Sequence, residues 1–149
     1  MNLLFVCTGN TCRSAMAEEA ARILMRKMGI EGRAASAGVY ASEGMPASIG
    51  AQSAISMLGG DLEGHRATPL TPGHIDDADW VFCMSAQHKN AVLVMAPNAR
   101  DKTHTLLGFS GKDGDIADPF GGDDDVYVSC LAQIGEAVRR ALEVIANGT

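Results

Sequence analysis

The sequence lacks the marks of several protein classes. No apolar run approaches the ~20 residues of a membrane-spanning helix. The N-terminus has neither the basic region nor the long apolar stretch of a signal peptide. No internal repeat is present. We therefore expect a single domain over residues 1–149 that stays in the cytoplasm and has no membrane partner.

Metal-binding spacings and an excess of positive charge are also missing. The four cysteines form no CxxC pair and the four histidines form no HxxxH pair, so their spacing does not suit zinc. In a reducing compartment the cysteines are not expected to form a disulfide framework. A net charge of −6 disfavours nucleic acid, whose phosphates would be repelled. We expect no metal, no cofactor and no nucleic-acid partner, and the sequence assigns no oligomeric state.

What is present is an alternation of strand-like apolar runs with helical patterns. We predict strands near 2–7, 33–36, 80–84 and 103–105, and helices near 13–28, 46–58, 86–96 and 126–146. This order predicts an α/β fold: an open parallel sheet of about four strands with helices on both faces. The last helix has an apolar stripe for packing on the sheet, made of Val128, Leu131, Ile134, Val138, Leu142 and Ile145.

The segment 7–14, Cys-Thr-Gly-Asn-Thr-Cys-Arg-Ser, joins the first strand to the first helix. Free backbone N–H groups at a helix N-terminus attract anions, and Gly9 and Asn10 can adopt the positive φ that turns amides inward. Arg13 adds a planar fork that binds two phosphate oxygens at once. The segment therefore predicts a phosphate-binding loop whose residues contact the substrate: Thr8, Gly9, Asn10, Thr11, Cys12, Arg13 and Ser14.

Two residues supply the chemistry that a phosphate-binding loop alone lacks. Cys7 lies under the positive field of the loop, which favours the thiolate, the nucleophilic form of cysteine. Asp118, in Asp-Pro-Phe-Gly-Gly, is the candidate acid for the leaving atom, because Pro119 stiffens the loop and Phe120 can wall the site against water. Asp115 is the local competitor for this role.

Taken together, these motifs resemble the low-molecular-weight protein tyrosine phosphatase family over nearly the whole chain. The resemblance rests on the early Cys-x5-Arg-Ser loop, Ser-Ala-Gly at 36–38, His-Arg-Ala at 65–67 and the late Asp-Pro. It implies one phosphatase domain in which Cys7 is the nucleophile, Arg13 the phosphate clamp and Asp118 the general acid and then base. It also implies that Ser14 bonds the Cys7 sulfur, and that hydrogen bonds from three further side chains hold the loop: Asn10, Ser36 and His65.

Within that family the sequence of the loop resembles that of the bacterial protein-arginine phosphatase branch. Tyrosine-directed relatives commonly have a bulkier aliphatic residue where this chain has Thr11, whose hydroxyl can hydrogen-bond near a P–N bond. The branch commonly has proline at the position of Ala15, a departure that affects only the first helical turn. The resemblance implies phosphorylated proteins as partners, with phosphoarginine as substrate and phosphotyrosine as the alternative.

Other functions stay open on the same residues. An arsenate reductase would need further cysteines to pass a disulfide outward, yet Cys83 lies in a predicted strand and Cys130 in a predicted helix. A phosphocarrier would transfer the phosphoryl group, and a binding module would have no use for a facing acid. Cys12 is a candidate redox partner that could trap an oxidised Cys7 as a reversible disulfide, or it only fills space.

Overall fold

The core of the fold is a parallel sheet of four strands in the order β2-β1-β3-β4. In this computed structural model, which describes residues 1–148, every strand pair is parallel. The four predicted strands and the parallel pairing are thus confirmed. Their bounds are Asn2–Cys7 for β1, Arg33–Gly38 for β2, Trp80–Cys83 for β3 and Thr103–Thr105 for β4.

Helices connect the strands, as parallel pairing requires. The predicted helices are all present, although the second is shorter than the predicted 46–58. Three short helical segments were not predicted, because four to six residues cannot show a helical period. The helices are α1 Arg13–Met28, α2 Ile49–Ser56, α3 Pro72–Asp77, α4 Ala86–Met95, α5 Leu106–Phe109 and α6 Asp124–Ala146, with a 3-10 helix at Pro97–Lys102.

The helices lie on both faces of the sheet, and successive side chains of β1 point to opposite faces. Leu3 and Phe5 belong to one cluster of buried side chains, together with residues of α1, α2, α5 and α6. Leu4 and Val6 point to the other face, where they join buried residues of α3, α4 and the 3-10 helix. Because both faces are covered, β1 is apolar almost throughout.

The ends of α1 and α6 are capped by residue types that favour those positions. Gly29 ends α1 in the left-handed conformation, with φ of 68°. The Asp123 side chain accepts a hydrogen bond from the Val126 amide and so caps α6. Within the predicted stripe of α6, Val128 is the exception, since it stays 38% exposed.

The sheet order places the loop after β1 at a point where ligands bind. From β1 the chain passes to β2 on one side and later to β3 on the other, so the strand order reverses at β1. In open α/β sheets the crevice at the carboxyl ends of the strands beside this reversal is the usual ligand site. Separately, no helix within residues 1–148 is both long and apolar enough to cross a membrane.

Candidate active site

A pocket of about 220 Å³ opens at the carboxyl end of β1. One wall is the loop predicted to bind phosphate, residues 7–13, which we call the phosphate loop. Asp118 and Phe120 line the opposite wall. The structure therefore brings Asp118 to the loop that carries Cys7 and Arg13, far earlier in the sequence, and so unites the three residues predicted to carry the chemistry.

The backbone of the phosphate loop depends on one left-handed residue and one close approach. Asn10 has φ of 58°, a conformation that asparagine tolerates better than most residues. The expectation that Gly9 also has a positive φ was wrong, so a single left-handed residue suffices for the turn. Gly38, at the end of β2, is pressed so closely on the loop that a Cβ there would lie 2.5 Å from the carbonyl oxygen of Thr8.

A chain of buried hydrogen bonds leads from the Cys7 sulfur to the surface of α1. Cys7 Sγ lies 2.8 Å from Ser14 Oγ. Asn10 Nδ2 donates to both Ser14 Oγ and Ser36 Oγ, at 2.8 and 2.9 Å. The Ser36 hydroxyl donates to the carboxylate of Glu18 at 2.7 Å. Because Glu18 is only 9% exposed, most of this series of hydrogen bonds is shielded from water.

The groups with a fixed donor role determine which atom donates in each of these hydrogen bonds. The backbone N–H of Thr68 donates to Asn10 Oδ1 at 2.9 Å, which leaves the two protons of Asn10 Nδ2 for Ser14 and Ser36. Since Ser14 Oγ accepts one of them, its own proton is free for the Cys7 sulfur. A hydroxyl that donates to sulfur stabilises the thiolate over the thiol.

Histidine and arginine side chains hold the phosphate loop from two further directions. His65 Nε2 lies 2.6 Å from the Asn10 carbonyl oxygen, so its N–H donates to the residue with positive φ. Arg13 is 7% exposed, and its Nη1 donates to the carbonyl of Ile116 at 2.9 Å. Its Nη2 lies 3.7 Å from a carboxylate oxygen of Asp118. The guanidinium therefore links the phosphate loop to the segment that carries Asp118.

The two candidate acids have different surroundings. The Asp118 side chain is 52% exposed and lines the pocket, and its Oδ1 accepts a hydrogen bond from the Phe120 amide. Asp115 is outside the pocket lining and accepts a hydrogen bond from the backbone of Ala86 at 2.9 Å. Phe120 forms part of the wall but is itself 75% exposed, so it does not close the pocket against water.

The four cysteines divide into two pairs by position. Cys7 and Cys12 belong to the phosphate loop, and both are free thiols. Cys12 Sγ lies 3.2 Å from Ser48 Oγ and 3.4 Å from the Tyr127 hydroxyl, and its predicted redox role stays a prediction. Burial raises the pKa of the Cys83 thiol to about 12 and that of Cys130 to about 11. Neither thiol is therefore suited to the disulfide exchange that an arsenate reductase needs.

Thr11 lies on the rim of the pocket and is half-buried. Its backbone carbonyl accepts a hydrogen bond from Ser48, and its hydroxyl has only a 3.8 Å contact with the Cys12 sulfur. The hydroxyl is therefore available to a ligand. Within residues 1–148 no group of three or more His, Cys, Asp or Glu side chains is placed to hold a metal ion.

Two residues of the site were missed by the sequence analysis. Glu18 lies four residues after Ser14 and so shares its helix face, a spacing that could have indicated the contact with the loop. His88 Nε2 lies 2.8 Å from the Thr8 hydroxyl oxygen. Ser85 caps the start of α4, but no sequence signal connects His88 to a loop 80 residues earlier.

Comparisons with known proteins agree with this geometry. A sequence model of the family described as low molecular weight phosphotyrosine protein phosphatase matches residues 2–148. The protein-arginine-phosphatase of Geobacillus stearothermophilus is 44% identical over 144 residues, covering 95% of this chain and 93% of that protein. The low molecular weight protein-tyrosine-phosphatase PtpB of Staphylococcus epidermidis is 37% identical, covering 93% of this chain and 94% of that one.

Among solved structures, a cysteine-to-serine mutant of the YwlE arginine phosphatase with a phosphorylated active-site serine matches with a TM-score of 0.95. It is 35% identical, and the match covers 99% of this chain and 97% of that one. In that protein the residue replacing a cysteine carries the phosphoryl group.

Proposed function

Because the chain belongs to the low molecular weight phosphotyrosine protein phosphatase family, we propose that it hydrolyses phosphoarginine in proteins through a cysteinyl-phosphate intermediate. The observation that carries the proposal is the convergence of the Cys7 thiol, the Arg13 guanidinium and the Asp118 carboxylate on one pocket. The relative named protein-arginine-phosphatase, 44% identical over most of both chains, supports arginine as the phosphorylated residue.

The first step transfers the phosphoryl group from arginine to cysteine. The amides of the phosphate loop and the Arg13 guanidinium neutralise the phosphoryl oxygens and stabilise the charge of the transition state. Cys7 Sγ attacks phosphorus in line, the S–P bond forms and the P–N bond breaks. Asp118 donates its proton to the leaving nitrogen, which departs as part of a free arginine side chain.

The second step releases phosphate and restores the enzyme. Asp118, now a carboxylate, takes a proton from a water molecule that attacks the phosphorus of the cysteinyl-phosphate. The S–P bond breaks, and its electron pair returns to sulfur as the thiolate. The hydrogen bond from Ser14 then stabilises that thiolate as the leaving group. The residues of this cycle need no metal or organic cofactor.

Thr11 and Asp118 supply the preference for arginine. A guanidinium leaving group has several N–H groups, which can donate to the Thr11 hydroxyl and to the unprotonated oxygen of the Asp118 carboxyl group. A phenol leaving group has none. Phosphotyrosine hydrolysis by the same Cys7 and Arg13 is the second candidate function, and the 37% identity to PtpB favours keeping it in the test.

The experiment that tests the proposal measures kcat/KM for a phosphoarginine and a phosphotyrosine peptide of the same flanking sequence. We expect the unmodified protein to prefer phosphoarginine and to release inorganic phosphate with each turnover. A preference for phosphotyrosine would assign the chain to the tyrosine phosphatases. Transfer to another acceptor without phosphate release would indicate a phosphocarrier, and turnover of arsenate would indicate a reductase.

The variant Thr11→Ile tests the source of the preference. It removes a polar contact and adds apolar surface at the rim, so kcat/KM for phosphoarginine should fall while that for phosphotyrosine is unchanged or higher. Inhibition by inorganic phosphate is the internal control, because phosphate has no leaving group for the Thr11 side chain to contact and should inhibit the unmodified protein and the variant equally. Equal losses on both substrates would mean that the substitution damaged the loop and that Thr11 does not discriminate.

A further inference from the structure

His88 contacts the phosphate loop from the side of the sheet opposite to α1. It lies in the first turn of α4, is 5% exposed and has a hydroxyl on each side of its ring. Nδ1 lies 2.9 Å from Ser85 Oγ, and Nε2 lies 2.8 Å from Thr8 Oγ1. The reaction cycle described above gives this buried histidine no role.

The number of donors and acceptors determines which ring nitrogen carries the proton. Ser85 Oγ accepts the backbone N–H of His88 at 3.3 Å, so its own proton can go to Nδ1. Nε2 is then the N–H and donates to Thr8. In the other tautomer the proton of Ser85, a residue 8% exposed, would have no acceptor among the described residues. Burial and the Arg13 guanidinium also lower the pKa of His88 to about 4, which keeps the ring neutral.

This assignment leaves Thr8 with an unused proton. Its oxygen accepts from His88 Nε2, and Arg13 Nη2 approaches the same oxygen at 3.5 Å. Both lone pairs therefore face donors, and the hydroxyl proton remains for a third group. Because Thr8 lines the pocket beside Cys7, an oxygen of a bound phosphoryl group can accept that proton.

We propose that His88 is a positioning residue that makes the Thr8 hydroxyl a hydrogen-bond donor to the phosphoryl group. The inference rests on the proposed phosphatase function and adds one side-chain donor to the amides and Arg13. Without the N–H at Nε2, the Thr8 hydroxyl is free to turn its proton to other acceptors.

A matched pair of substitutions at His88 tests the proposal. In His88→Gln the side-chain amide nitrogen is as many bonds from the backbone as Nε2, so it can still donate to Thr8. In His88→Asn the amide is one bond shorter, so it can reach Ser85 but not Thr8. The readout is the Kd of inorganic phosphate by isothermal titration calorimetry, for these variants, for Thr8→Val and for the double variant Thr8→Val/His88→Asn.

We expect Thr8→Val and His88→Asn each to weaken phosphate binding about tenfold, the effect of one hydrogen bond to a charged group. The double variant should bind no more weakly than Thr8→Val, because His88 acts through that hydroxyl. His88→Gln should stay within about threefold of the unmodified protein. The proposal is overturned if the losses multiply in the double variant, if His88→Gln binds as weakly as His88→Asn, or if His88→Asn binds normally.

His74 provides the control, since it has the same place in another helix. It lies in the first turn of α3, and its side-chain and cap hydrogen bonds are with Thr71, which is outside the phosphate loop. His74→Asn should leave the Kd of phosphate unchanged. The probe is inorganic phosphate, so this test does not depend on which residue is phosphorylated in the substrate. If the protein preferred phosphotyrosine, phosphoarginine would be refuted as its substrate, but this test would remain valid.

Discussion

The two walls of the active-site pocket differ in how firmly they are held. Cys7 and Asn10 of the phosphate loop are buried, and hydrogen bonds of 2.8 Å join each of them to the buried Ser14 in the first turn of α1. The opposite wall, residues 115–122, which we call the acid loop, has an exposed tip at Phe120. Among the described residues, Asp118 has one hydrogen bond within its own turn and the 3.7 Å ion pair with Arg13.

The difference matches the tasks of the two walls. A phosphoryl group has the same shape in every substrate, so its binding site gains from being built in advance. The leaving group varies, and an exposed carboxylate can adjust to it. The acid loop is still anchored at its base, because Ile116 is buried and bonds both Met84 and Arg13 through its backbone. The fold thus combines a buried, hydrogen-bonded Cys7, the proposed nucleophile, with an exposed Asp118, the proposed acid.

The largest expected effect comes from replacing Cys7, the proposed nucleophile in the phosphate loop. Cys7→Ser should lower kcat by roughly four orders of magnitude or more, since the rest of the site cannot replace the sulfur. Phosphate affinity should stay within a few-fold, because the loop amides and Arg13 remain. Turnover and calorimetric phosphate binding are the two measurements. Cys130→Ser, at another buried cysteine, should keep normal turnover, and persistent activity of Cys7→Ser would remove Cys7 from its role.

Breaking the adaptable wall should have the next largest effect. Asp118→Asn keeps the shape of the side chain but cannot transfer a proton, so kcat should fall by roughly 10²- to 10⁴-fold. The loss should be smaller with para-nitrophenyl phosphate, whose leaving group departs without a proton. Asp115→Asn is the matched control, because its amide oxygen can still accept from Ala86. Equal losses in the two variants would reject Asp118 as the specific acid.

A substitution within the hydrogen-bond chain tests how far rigidity itself contributes. Ser14→Ala removes the hydroxyl that lies 2.8 Å from the Cys7 sulfur, and kcat should fall roughly 10- to 100-fold, as for a lost hydrogen bond to a charged group. Steady-state kinetics provide the measurement. Ser110→Ala removes another buried serine hydroxyl, bonded to the Leu107 carbonyl away from the pocket, and should leave kcat unchanged. A normal kcat in Ser14→Ala would show that this contact is dispensable.

The smallest effect concerns the stability of the rigid wall as a function of pH. The pKa of His88 is lowered to about 4 by burial and Arg13, against the opposing pull of Asp115 and Asp118. The unfolded chain therefore binds a proton at a higher pH than the folded one, so stability is present above pH ~6.5 and falls as the pH drops towards 4. Integration gives a loss of about 2 kcal/mol by pH ~5.

Denaturant unfolding at several pH values checks this prediction against His88→Gln, which has no group to titrate at that position. The variant should lack this part of the acid sensitivity. Parallel stability curves for the two proteins between pH ~4 and ~7 would contradict a depressed pKa at His88.

Local patterns were sufficient for much of the fold. Leu3 to Val6, the Gly29 stop and the stripe around Ile134 each reflect neighbours in sequence, so strands, helices and their parallel order followed from periodicity. The short helices α3 and α5 were not predicted, because Thr71 and Thr105 can be recognised as helix caps only once the fold is known. The exposure of Val128 likewise depends on what the rest of the chain leaves uncovered.

The sequence by itself determined the phosphate loop, because Cys7 and Arg13 lie close together in one short segment, and the structure places both around a single pocket. Only the tertiary structure decided which distant groups complete it. Glu18 reaches the loop through Ser36, and His88 arrives on a helix from the other face of the sheet. Such contacts arise from the packing of whole elements, and buried polar groups must find partners wherever that packing places them.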